Sequence, residues 1–376
     1  MSIPVLWYWF LAIPTLLLAL ESLRGEGRRR RYFESRLPTP EPGVCPPATV
    51  IVPVKGPDEG LRENLASLAA LDYPDYELIV VARREEDLDR SAVPASARVL
   101  IADGRFEPPC GEKIENLLAA VGRARGKSEV FAFADSDGEV RAGWLRALVA
   151  ALEEPRAGAA TGYRWHVPAR PNAASLFRSA WNGVIYGGMG DGDNRFAWGG
   201  AMAIRRETFY ETDVPAYWRA AISDDYRLSR AVHAAGLRIV FAPGATVAAR
   251  DRTDWPEFLG WIRRQLMITR ANAPRLWWLG FLAHVLYCAT MAASLAALPS
   301  PGAALVFAAQ LTAGCIKGRN RLRLAALALP HLAAELRSQS ATQVWASPVV
   351  TWIWLWSFAA SAFGRTIVWR GRRYRL

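Results

Sequence analysis

Two carboxylates one residue apart, Asp135 and Asp137, follow the apolar run Val130-Phe-Ala-Phe-Ala134. Such a run suits a buried strand. Alternate side chains of a strand share a face, so a slight bend at its end lets both carboxylates grip one cation. Mg2+ held by one or two carboxylates usually takes its remaining ligands from water and substrate phosphates, which points to a diphosphate. A second acidic pair, Asp224-Asp225, precedes a helical stretch at Arg227–Ala235, where the positive end of the helix dipole favours an anion. A helix cap accounts for one of them. Two suggest a general base, kept ionised by a nearby metal-bound diphosphate. Lys113 lies just before a helical stretch at Ile114–Arg123 and can reach a phosphate as a point charge.

Other candidates carry less. Gly122-Arg-Ala-Arg-Gly126-Lys127-Ser128 has three residues between its glycines where a phosphate loop needs four, and it leads from a helix into a strand, the reverse of that loop's context. Asp191-Gly-Asp193 has no apolar strand before it and reads as a loop. His284 and Cys288 share a helix face and read as packing. The 4 cysteines include no Cys-x-x-Cys, so neither a zinc site nor a disulfide framework is indicated.

The elements that must position these groups alternate. Strand-like runs at Thr49–Val54, Tyr76–Ala82, Ala97–Ala102, Val130–Ala134 and Ala157–Tyr163 are separated by helical spacing at Leu61–Leu71, Ile114–Arg123 and Gly143–Leu152. That order predicts an α/β domain with a mostly parallel, Rossmann-like sheet. Ligands of such sheets lie beyond the carboxyl ends of the strands, where Asp135 and Asp137 fall.

Of 376 residues, 52% are hydrophobic and 16 are Trp, yet 22% are charged, a mixture that suggests a polar domain joined to a membrane part. The net charge of +11 comes with basic clusters at Arg28–Arg31, Lys317–Arg323 and Arg370–Arg375, each flanking an apolar segment. Anionic lipid headgroups explain that placement better than nucleic acid does. The organisation predicted is a transmembrane anchor over 1–23, a basic and Pro-rich linker over 24–47, the α/β domain over 48–256, an interfacial amphipathic helix over 257–275, and a transmembrane region over 276–376. Within the last, Leu276–Leu298 and Val344–Phe363 read as spans, and Leu324–Leu336 as a re-entrant or short crossing segment. The positive-inside tendency puts the α/β domain in the cytoplasm, at the inner membrane if the source is bacterial.

Taken in order, Thr49–Pro53, Tyr76–Asp87, Lys113–Asn116, Asp135-Ser-Asp137, Gly199-Gly-Ala-Met-Ala-Ile-Arg205, Asp224-Asp225-Tyr226 and Trp369-Arg-Gly-Arg-Arg-Tyr374 resemble the inverting, family 2-type glycosyltransferases of GT-A fold, and within them the ceramide glucosyltransferase group with its bacterial hopanoid-type relatives. The resemblance implies transfer of a hexose from a UDP-sugar, UDP-glucose by preference, to a lipid hydroxyl. It implies Asp225 as catalytic base with Asp224 beside it, and Mg2+ or Mn2+ on Asp135 and Asp137. Donor contacts are implied for Lys113, Asp135, Arg264 and Gln265, and acceptor contacts for Trp198, Gly199 and Gly200. The group's uracil-contacting Asp is replaced by Ala82-Arg-Arg-Glu-Glu-Asp87, where Glu86 or Asp87 takes its place. The group's Gln/Arg-x-x-Arg-Trp motif reads Trp261-Ile-Arg-Arg264-Gln265 and lacks the aromatic. The helices around Trp181 and Trp261 are expected to receive the lipid. Two other readings stand beside this one: a processive polysaccharide synthase, and an inactive glycosyltransferase-like membrane scaffold.

Overall fold

The structure is a computed structural model that describes residues 3–37, 42–56, 58–102, 110–192 and 195–376, with side chains from Trp7 onward. Asp193 lies outside the described residues, as does part of the Pro-rich stretch. Helix α1 (Ile3–Arg36) opens the chain and continues through Arg28–Arg31 into the segment read as linker. Glu21/Arg24 and Glu26/Arg29 are i, i+3 ion pairs that support this extension. The chain forms two compact units. The first comprises Met1–Arg31, Pro171–Gly188 and Thr253–Leu376, the second Tyr32–Arg170 and Met189–Arg252.

The second unit is the α/β domain. In chain order it holds β1 (Ala48–Val54), α2 (Leu61–Ala69), β2 (Tyr76–Ala82), β3 (Arg98–Ile101), α3 (Glu112–Val121), β4 (Val130–Ala134), α4 (Trp144–Leu152), β5 (Ala157–Thr161) and β6 (Arg164–His166). Helix α5 (Ala173–Tyr186) belongs to the first unit, and the chain then returns as β7 (Ala201–Arg205), α6 (Arg206–Glu211), α7 (Val214–Trp218), α8 (Asp224–Ala234), β8 (Arg238–Phe241) and β9 (Val247–Ala249). The main sheet runs β3-β2-β1-β4-β7-β5-β8. Strands β1 and β4 at its centre are buried on both faces, as continuous apolar runs of parallel strands demand. Burying a side chain such as Phe131 or Phe133 contributes about 1.5–3 kcal/mol each.

One strand departs from the parallel pattern. β7 pairs antiparallel with both β4 and β5, with Ala201 opposite Ala134. Because β7 runs the other way, the residues that precede it, Trp198-Gly199-Gly200, fall at the carboxyl end of β4. The antiparallel insertion therefore delivers a loop to the place where Asp135 and Asp137 emerge.

The first unit is helical. It contains α9 (Trp255–Asn272), α10 (Pro274–Ala296), α11 (Pro301–Ala328), α12 (Ala333–Ser338), α13 (Ser340–Trp345) and α14 (Ser347–Ser361), and ends in a hairpin of β10 (Thr366–Trp369) with β11 (Arg372–Arg375). Leu324–Leu336 is broken at its proline: α11 ends at Ala328, and Pro330, which has no N–H to continue the helix, starts a new turn. Val344–Phe363 is likewise divided, since Pro348 opens the 15-residue α14. Among the described residues α10 is the one helix long and apolar enough to cross a membrane. Trp181 is fully buried, stacked on Trp354 at 4.0 Å and edge-on to Trp261 at 5.4 Å. Trp181 is therefore a core residue of the helical unit, and its ring offers no open surface. His284 packs on the Trp354 ring at 5.5 Å, consistent with a packing role. Large apolar side chains are exposed along α1 (Trp7, Phe10, Leu17) and α10 (Leu276, Leu279, Leu282).

Candidate active site

Asp135 follows the last residue of β4, and Asp137 lies two residues on. The turn between them is fixed from behind. Asn64 on α2 donates to the Ser136 carbonyl at 3.0 Å, and the Ser136 hydroxyl donates to Asp58 at 2.5 Å. A Cβ on Gly138 would come within 2.2 Å of Val247, so only glycine lets the turn pass β9 this closely. With Ser136 held inward, its two neighbours turn toward the carboxyl edge of the sheet.

Lys113, in the first turn of α3, places its ammonium between two elements. Nζ lies 2.8 Å from Asp135 Oδ1 and 3.0 Å from Asp224 Oδ2, and it donates to the Gly199 carbonyl at 3.4 Å. Burial works to lower the Lys113 pKa, but Asp135 and Asp224 outweigh it and hold it above its ordinary value. The start of α3 is tied to the loop before α8 by Gly111 N–H donating to the Ala221 carbonyl at 2.7 Å. Lys113 thus bridges Asp135 to Asp224; it is not an isolated phosphate ligand.

Asp224 and Asp225 open α8, capped by Ser223. Asp224 is 3% exposed and faces Lys113. Asp225 Oδ1 accepts from the Ser223 hydroxyl and from the Tyr226 N–H at 2.7 Å. Burial and the adjacent Asp224 carboxylate push the Asp225 carboxyl up to about 6, against the Ser223 hydrogen bond and the Lys113 charge. A carboxyl so tuned is ionised at neutral pH and still basic enough to accept a proton.

Gly199 and Gly200 leave the space these groups fill. A Cβ on Gly199 would sit 2.4 Å from Asp224 Oδ2 and 2.8 Å from Lys113 Nζ; one on Gly200 would sit 2.7 Å from Asp135 Oδ2. Trp198, 7% exposed, packs edge-on to Tyr163 at 5.4 Å and under the Arg164 guanidinium at 4.7 Å.

Arg164 is the residue that sequence reasoning missed. From β6 it donates to Asp137 Oδ2 at 3.2 Å and reaches within 3.9 Å of Asp135. An arginine in a three-residue strand has no local signature, and only the pairing of β6 with β9 brings it here. Burial raises the Asp137 carboxyl, Arg164 opposes that rise, and Asp135, Asp251 and Asp58 reinforce it. Carboxylates therefore outnumber the cations around Asp137. Among the described residues no group of three or more His, Cys, Asp or Glu gathers as metal ligands; a divalent ion at Asp135 and Asp137 would have two carboxylates and would need its other ligands from water and substrate.

Glu86 and Asp87 occupy a short turn after β2. Glu86 is exposed and pairs with Arg84 at 3.0 Å, and the Asp87 carbonyl accepts from Gly56 N–H at 2.7 Å, next to the end of β1. Both lie at the carboxyl edge of the sheet. Arg264 and Gln265 are on α9, in the helical unit.

The model of glycosyl transferase family 21 matches residues 8–376. The chain belongs to glycosyl transferase family 21. This refines the family 2-type resemblance seen in the motifs. No curated protein matches the sequence. Among solved structures, the family 21 chain is similar to the mannosyltransferase PcManGT of Pyrobaculum calidifontis, determined with GDP-Man and Mn2+, at 20% identity and a TM-score of 0.50 over 94% of this chain and 97% of that one. It also matches residues 1–349 of S. aureus TarS, determined with UDP-GlcNAc, at 15% identity and a TM-score of 0.38 over 88% and 96%. The first likeness shows a shared GT-A fold.

Proposed function

We propose that this family 21 protein transfers a hexose from a UDP-sugar, with UDP-glucose the favoured donor, to a lipid hydroxyl such as that of a ceramide or hopanoid, with inversion. The observation that carries the proposal is the Lys113 bridge, which holds the Asp135 carboxylate and the Asp224-Asp225 pair at one edge of the sheet. Asp225 accepts the proton of the acceptor hydroxyl as its oxygen bonds to the sugar C1 and the bond from C1 to the diphosphate breaks. Asp224 and Lys113 position that base; Gly199 and Gly200 admit the reactants' close approach. Asp135 and Asp137 would hold Mg2+ or Mn2+, which supplies charge neutralisation for the departing diphosphate. The PcManGT structure, with its nucleotide sugar and Mn2+, agrees with this chemistry.

Glu86 and Asp87 are proposed to face the nucleobase, Arg264 and Gln265 the donor, and Trp198 the acceptor. The lipid acceptor is argued from the exposed apolar side chains of the helical unit and the length of α10. We place the chain in the membrane with its α/β unit on the cytoplasmic side, where nucleotide sugars are found. Incubating membranes with radiolabelled UDP-glucose should yield an organic-extractable product. Label confined to insoluble polymer would instead identify a polysaccharide synthase, and no metal-dependent UDP binding would identify a scaffold.

A further inference from the structure

Charge that the transfer reaction does not use gathers in the helical unit. Glu26 and Arg29 on α1 lie in one electrostatic neighbourhood with Lys317 and Arg321 on α11, each of the latter feeling both of the former. Glu26 is 4% exposed and accepts from Arg29 at 3.0 Å. That leaves Lys317 and Arg321 in excess, two cations one helical turn apart on one face of α11. Three atoms of the group, Glu26 Oε2, Arg29 Nε and Arg321 Nε, are buried without a hydrogen-bond partner. The stem of Arg321 is laid against Gly187, where a Cβ would come within 2.6 Å of its Cγ. A longer residue at 187 would displace the guanidinium.

The level of this cluster along the helices is informative. Near its start α1 packs on the end of α10, with Tyr8 hydrogen-bonded to Ser294 at 2.9 Å, and Trp9 meets Gly302 at the start of α11. From Trp9 to Glu26, and from Gly302 to Lys317, a helix rises roughly 22–26 Å. That is slightly less than the hydrocarbon thickness of a bilayer, about 30 Å. The intervening surface carries exposed Phe10, Ile13 and Leu17 on α1 and Leu305 and Ile316 on α11, while Arg24 and Arg28 are exposed at the cluster's level. The charged group therefore sits at the boundary where apolar surface gives way to charge.

We propose that Lys317, Arg321 and Arg29 form a site for the phosphate of an anionic phospholipid headgroup, with Glu26 holding Arg29 in place. A phosphate diester offers acceptors for N–H groups that are buried and unpaired, and its charge offsets the excess of the cluster. The inference rests on the membrane-embedded reading of the helical unit, so recovery of the full chain from membranes is examined separately. If it leaves the membrane without detergent, both readings are overturned. The direct test reconstitutes the full chain in nanodiscs of phosphatidylcholine alone or mixed with phosphatidylglycerol. We expect phosphatidylglycerol to raise Tm by about 3 °C and to stay bound in native mass spectra. The rise should vanish in K317Q/R321Q and persist in K317R and in R373Q/R375Q, whose side chains lie on the terminal hairpin. No phosphatidylglycerol retained by the wild type, or an equal rise in K317Q/R321Q, would overturn the proposal. An equal rise from inorganic phosphate in phosphatidylcholine nanodiscs would assign the site to a soluble anion and overturn the lipid.

Discussion

The Lys113 ammonium lies 3.0 Å from Asp224 and 2.8 Å from Asp135, so one cation joins the strand that ends in the Asp-x-Asp turn to the helix that starts with the acidic pair. All three side chains are largely buried. Substituting Lys113→Met leaves Asp135 and Asp224 without their shared partner in a region of low dielectric. Breaking a buried pair this way costs about 3 kcal/mol. Thermal unfolding of purified K113M should show a clearly lower Tm, and turnover should fall with it. An unchanged Tm would mean that the bridge contributes little.

As the proposed base, Asp225, with its carboxyl pushed up to about 6, should set the acid side of the pH profile. The base works ionised, so kcat/KM should fall as pH drops through about 6 and level off above it. Asp224 is the second cause of the upward shift, after burial, so D224N should carry the acid limb of its residual activity to lower pH. A pH–rate series on both proteins checks this; an acid limb that stays in place, or moves up, would separate the two carboxylates.

Gly199 tests the cradle. A Cβ there would overlap Asp224 and crowd the Lys113 ammonium, whereas one on Gly126 meets nothing within 4 Å. G199A should therefore lose at least about 10²-fold in turnover with its circular dichroism retained, while G126A stays near wild type. Equal behaviour of the two would remove the glycine from the argument.

How much of this was legible depended on periodicity. β1, β2 and β4 are apolar runs because a central parallel strand is buried on both faces, and their positions follow from composition alone. β7 was not read as a strand because Ala201-Met-Ala-Ile-Arg205 is a short run rich in alanine, with few β-branched or aromatic residues, and its antiparallel pairing is a tertiary property. Asp135, Asp137, Asp224 and Asp225 announce themselves as acidic pairs. Arg164 does not, since its role comes from the placement of β6 against β9. The helical unit was the least legible part. Pro348 lies in the first turn of α14, inside a segment that reads as one uncharged apolar run, and helix-forming ion pairs carry α1 past the point where a linker was expected.

The measurement that bears most directly on the assigned roles is a paired titration of UDP-sugar into D225N and D137A in the presence of Mn2+, with turnover measured alongside. Asp225→Asn removes a proton acceptor and leaves Asp135 and Asp137 in place, so donor affinity should stay near wild type while turnover falls about 10²–10⁴-fold. Asp137→Ala should weaken donor binding and turnover together. Equal loss of donor affinity in both variants, or full turnover in D225N, would contradict the account.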